Sequence, residues 1–129
     1  VNRSGQKILF ADSLGGLVVG AVLLSNASWF AQFYGFPWEV VVFVSGANIS
    51  YGMFSGTLAL LARARGAISR SAIIILIVAN CLWTIPSVGL TFWTWPTSTS
   101  FGIGHLWLEA IVVCVLAYLE AKWVLPEGR

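Results

Sequence analysis

Residues 71–92 read SAIIILIVANCLWTIPSVGLTF, a stretch with no Asp, Glu, Lys or Arg. A helix rising about 1.5 Å per residue needs about 20 such residues to cross a hydrocarbon core about 30 Å thick. The stretch meets that length, and its apolar residues do not alternate as those of a barrel strand would. Three further stretches of the same kind lie at about 8–33, 38–62 and 103–124. The expected fold is an all-α integral membrane protein, an antiparallel four-helix transmembrane bundle forming one domain over residues 1–129.

Composition points the same way. Charged residues make up 9% of the chain and hydrophobic ones 58%, where soluble domains carry about 25% charge. A 14.0 kDa chain cannot hide that much apolar surface in a water-facing fold, because small domains bury too little of what they have. The lipid bilayer is therefore the first expected partner. A nucleic-acid partner is not expected, since the basic residues stand at segment ends instead of forming a patch.

The breaks between segments carry turn chemistry. Gly35-Phe36-Pro37 parts the first two, Arg63-Ala64-Arg65-Gly66 the next two, and Trp95 to Ser100 the last two. These loops are short, so consecutive helices should be antiparallel neighbours. Arg3 and Lys7 precede the first helix, Arg63, Arg65 and Arg70 flank the middle loop, and Lys122 and Arg129 follow the last helix. Four crossings place all seven on one side. The positive-inside rule makes that side the cytoplasm, for a multi-pass protein of a plasma or inner membrane with both termini inside. The basic start and apolar middle of the first segment also resemble a secretory signal, but Asp12 is out of place in such a segment. Trp29, Tyr34, Trp38, Trp93 and Trp95 cluster at the other side, where amphipathic rings anchor at the headgroups.

Two packing motifs stand out, Gly16-x-x-x-Gly20 and Gly52-x-x-x-Gly56. Small residues four apart let helix backbones approach closely in lipid, within a chain or between copies of a homo-oligomer or larger complex. Polar residues fall on stripes that should face the bundle interior: Ser45, Asn48 and Ser55; Asn80, Thr84, Ser87 and Thr91; His105, Glu109 and Glu120. Depth selects Asn48, Asn80, Trp83, Thr84, His105 and Glu109 as a ligand-binding set in an outward-opening pocket, with room added by Pro86. Glu109 is the expected centre and His105, one turn away, its partner. Asp12 and Glu120 are expected near the cytoplasmic ends, paired with Arg or Lys.

No catalytic set, cofactor or metal site is expected. One His and one Glu are too few ligands for a metal. Cys81 and Cys114 lack a C-x-x-C spacing and read as buried apolar fillers. The size and helix count are similar to those of the small multidrug-resistance transporters, which exchange drugs for protons on a first-helix carboxylate. Here the mid-membrane carboxylate lies in the fourth helix, so no residue is carried over. The absent C-x-x-C pair separates the chain from four-helix quinone reductases, and the single His from haem-carrying bundles. The expected function is non-enzymatic binding or transport of a small molecule. The alternatives are an accessory subunit whose polar stripes are glue and, third, an intramembrane enzyme.

Overall fold

Asn2 opens the first helix: its side-chain oxygen accepts from the Gly5 amide at 2.8 Å, satisfying one of the amides that a helix start leaves unpaired. From that cap the computed structural model, which describes all of residues 1–129, runs through five helices: α1 Arg3–Ser25, α2 Ala27–Tyr34, α3 Trp38–Arg65, α4 Arg70–Thr94 and α5 Ser100–Trp123. A short 3-10 turn, Leu125–Glu127, follows. There is no sheet.

The single helix expected over 8–33 is two. Ser25 Oγ donates to Ala21 O at 2.7 Å, and Asn26 Nδ2 donates to Val22 O at 3.2 Å. These side chains compete for the carbonyls of the preceding turn, and Asn26 leaves helical geometry at φ −125°, ψ 35°. α2 then folds over one end of the bundle and stops at Gly35. There φ is +69°, and the Phe36 amide returns to Ala31 O at 2.9 Å. Only glycine adopts that left-handed turn without strain.

Three helical segments are long and apolar enough to cross a membrane: Arg3–Ser25, Arg70–Thr94 and Ser100–Glu127. α3 is the longest helix, at 28 residues. Ser45, Asn48, Ser50, Ser55 and Thr57 hold its hydropathy down, so α3 does not join the three on apolarity alone. It is instead the most deeply packed partner of α1.

That packing is made by glycine. A Cβ on Gly16 would lie 2.6 Å from Asn48 O, and one on Gly20 would lie 2.8 Å from Ser45 O. From the other side, a Cβ on Gly52 would lie 2.7 Å from Leu17 N, and one on Gly56 would meet Ser13 Oγ at 2.5 Å. Ser13 Oγ donates across the seam to Gly52 O at 2.7 Å. Rising numbers on α1 meet falling numbers on α3, so the pair is antiparallel. α4 and α5 form the second antiparallel pair, with Asn80 beside Glu120 and Thr84 beside Cys114. The pairs touch through α1–α5 and α3–α4, while α3 and α5 stand diagonally opposite without backbone contact.

Two apolar clusters occupy the ends of this frame. Leu9, Leu58, Ala59, Ile73, Leu76 and Val124 pack at the end that carries the α3–α4 loop. Leu23, Val41, Val44, Trp83 and Leu106 pack at the end under α2. Arg129 N–H donates to Ile68 O at 3.0 Å, and Arg70 N–H donates to Arg129 O at 2.8 Å, tying the segment after α5 to the middle loop. All seven Lys and Arg lie toward this end. The outer surface is apolar: Leu14, Val18, Ile75, Ile85, Ile111 and Val115 are exposed. Cys81 and Cys114 are on that surface too, so they are not the buried fillers expected.

Candidate functional site

On each long helix the deep polar residues fall between the two apolar clusters. There a cavity of about 420 Å³ opens among α1, α3, α4 and α5. Pockets of about 300–1,000 Å³ hold small organic ligands. α3 contributes Asn48 and Tyr51 to the wall, α4 Asn80 and Trp83, and α5 His105 and Glu109 with Val112, Val113 and Leu116. α1 contributes Asp12, Gly16 and Val19. Most of the wall is therefore apolar, with a few polar groups placed at its two ends.

The first polar group lies toward α2. Asn48 Nδ2 donates to Glu109 Oε1 at 2.7 Å and to Val44 O at 2.9 Å. His105 Nε2 lies 2.7 Å from Glu109 Oε2, one turn apart on the same helix. The approach is close but poorly aligned for a hydrogen bond. Tyr34 at the end of α2 closes the group, its hydroxyl 3.1 Å from His105 Nδ1. A hydroxyl donating to Nδ1 leaves the ring proton on Nε2, facing Glu109.

The second group lies further from α2, about two turns along α3 at Ser55 and about three along α5 at Glu120. Asn80 Nδ2 donates to Glu120 Oε2 at 3.0 Å. Asp12 faces Glu120, Asn80 and Ser55. Glu120 is fully buried and Asp12 is 6% exposed. Neither forms a salt bridge with Arg or Lys, so the interfacial ion pairs expected from sequence are absent. The reason is depth: α1 begins at Arg3 rather than near residue 8, which carries Asp12 more than a turn further from the helix end.

Five of the six residues expected to gather, Asn48, Asn80, Trp83, His105 and Glu109, lie on the cavity wall. Thr84 does not. Its hydroxyl donates to Cys81 O at 2.7 Å on its own helix. The two asparagines serve different carboxylates instead of one. α4 runs through Pro86 without a break and holds Trp83 edge-on to Tyr51 at 6.1 Å. Asp12 and Tyr51 also line the wall, while Tyr34 and Glu120 stand off it, beside His105 and Asn80. The Asn2 cap is the signal in the sequence that would have placed Asp12 correctly.

The cavity's mouth is lateral. Its exposed wall residues are Ala11 and Gly15 on α1 and Leu108 and Val112 on α5. These helices touch only sparsely. The end toward α2 is closed. Thr99 N–H donates to Tyr34 O at 2.9 Å, Thr99 Oγ1 donates to Phe33 O at 2.8 Å, and Thr97 Oγ1 donates to Gly35 O at 2.9 Å. Trp29, Phe33 and Phe101 stack outside this seal at 4.9 and 4.8 Å. The outward-opening pocket read from sequence is thus a side-opening one, because α2 and the 95–99 turn lie where the opening was expected. Comparison with known family models, characterised proteins and solved structures gives no match.

Proposed function

We propose that this protein is a non-enzymatic membrane binder or carrier of an amphiphilic small molecule, which it takes sideways from the lipid between α1 and α5. The observation that carries the reading is a cavity with apolar walls and polar ends whose mouth is framed by Ala11, Gly15, Leu108 and Val112. A water-borne polar ligand gains nothing from such a mouth. A molecule with an apolar body and one polar head matches both surfaces. Asn48, Asn80, Trp83, His105 and Glu109 are its proposed contacts.

The reading includes α3 as a fourth crossing, since it packs antiparallel along α1, and both termini in the cytoplasm, since the basic residues share one end. Single cysteines at Thr97 and Arg65, in a chain with Cys81 and Cys114 replaced by Ala, test this. A membrane-impermeant maleimide added to intact cells is expected to label the first and spare the second. Labelling of Arg65→Cys from outside would overturn the orientation.

Binding itself is tested with decanol as a neutral amphiphile. Native mass spectrometry of the purified protein released from lipid nanodiscs is expected to show saturation at one decanol per chain. Adducts that grow in number without saturating would signal partition onto the apolar surface and contradict a defined site.

A further inference from the structure

The two polar groups of the cavity differ in how well they are satisfied. Glu109 has Asn48 as a donor to one oxygen and the His105 ring 2.7 Å from the other. Asp12 and Glu120 have no basic side chain beside them and too few donors. Asn80 serves one oxygen of Glu120, while Glu120 Oε1 and Asp12 Oδ2 have no partner. Ser55 spends its hydroxyl on Tyr51 O at 2.9 Å, and the Tyr51 hydroxyl goes to Ala79 O at 2.8 Å. No Lys or Arg lines the cavity.

Two ionised carboxylates are acceptors only, and side by side in a low-dielectric interior they repel. One shared proton turns one of them into a donor to the other. The single negative charge then left on the pair has no counter-ion in the chain, and either a second proton or a cationic ligand neutralises it. A metal ion suits the site poorly, because no group of three His, Cys, Asp or Glu converges anywhere in the fold. Asp12 and Asn80 lie on the cavity wall with Tyr51 and Trp83, while Glu120 is off the wall and bonded to Asn80. Aromatic faces attract organic cations, and a primary ammonium carries three donors, enough for the unpartnered Asp12 oxygen.

We propose that the ligand's head is a protonated amine seated on Asp12 at the cavity wall, with Glu120 buried behind it sharing the charge, and with its hydrocarbon tail along Val19, Val112 and Leu116 toward the lateral mouth. This rests on the lateral-binding reading above and adds the chemistry of the head.

The test compares decylamine, decanol and decanoate, which share a tail and differ in head charge, at pH 7 on the intact protein in lipid nanodiscs. Losing one partner of a buried charge pair costs about 2–5 kcal/mol. Decylamine is therefore expected to bind at least about tenfold more tightly than decanol, with decanoate weakest. Asp12→Asn and Glu120→Gln are each expected to erase the preference while keeping decanol binding, which also reports that the variant is folded. Equal binding of amine and alcohol, stronger binding of decanoate, or a preference that survives both substitutions would overturn the ammonium assignment and leave the cavity reading standing. Failure of all three probes to bind would overturn both.

Discussion

Gly16→Leu and Gly52→Leu are each expected to destabilise the bundle by about 3 kcal/mol, the upper part of the range for overpacked cores. The cause is backbone against backbone. A Cβ at Gly16 would face Asn48 O at 2.6 Å and Gly52 N at 3.0 Å, and one at Gly52 would face Ser13 O at 2.8 Å. A flexible side chain could turn aside, but a helix backbone moves only if the whole α1–α3 seam opens. That seam carries the Ser13–Gly52 hydrogen bond, and it fixes Asp12 and Asn48 relative to each other. Thermal unfolding of the detergent-solubilised protein is the readout. Gly46→Leu and Gly89→Leu are the controls, since a Cβ at either meets nothing within 4 Å. They are expected to be neutral or slightly stabilising, because glycine is a poor helix residue. Equal stability of all four variants would mean that α1 and α3 do not pack through these glycines. Gly16, Gly20, Gly52 and Gly56 all face partners inside one chain.

Much of the fold was legible because membrane helices announce themselves by length. Arg70–Thr94 and Ser100–Trp123 each match the apolar runs that mark them to within a few residues. The glycine motifs were also readable as close-approach sites, since Gly16 and Gly52 have few other uses in apolar helices. Two features were less legible. The break at Asn26 depends on side chains turning back to carbonyls one turn earlier, and Ser and Asn do this in many helices without ending them. α2, and with it the seal over one end of the cavity, follows from that break. Helix starts were the second difficulty. An Asn two residues into the chain is a weak signal, yet the cap it forms sets the depth of Asp12. A carboxylate read as interfacial is therefore buried among the helices. Glu120 was read on the correct face but at the wrong depth, and its partner is Asn80 rather than a basic residue.

The site was legible as a set of residues more than as a shape. Polar side chains in apolar helices turn inward because lipid offers them no partner, and that rule alone brings Asn48, Asn80, His105 and Glu109 to one cavity. Which amide meets which carboxylate depends on helix register. Asn48 reaches Glu109 across the diagonal of the bundle, and Asn80 reaches Glu120 on its neighbour. Stripe positions on separate helices do not specify those pairings. The direction of the opening depends on which two helices touch least, and no single helix encodes that.

The lateral mouth is the central claim, and Gly15→Trp tests it most directly. Gly15 is exposed beside the opening, and a Cβ there meets nothing within 4 Å. An indole can therefore be added without disturbing α1, and its bulk stands between Ala11 and the Leu108–Val112 face of α5. The measurement is decanol affinity of Gly15→Trp against the parent in lipid nanodiscs. Gly89→Trp serves as the control, a substitution at an equally open position on α4 away from the mouth. With unfolding temperatures unchanged, Gly15→Trp is expected to lose at least about tenfold in affinity, a free-energy change of about 1.4 kcal/mol, while Gly89→Trp binds as the parent does. Parent-like affinity in a folded Gly15→Trp protein would contradict a ligand path between α1 and α5.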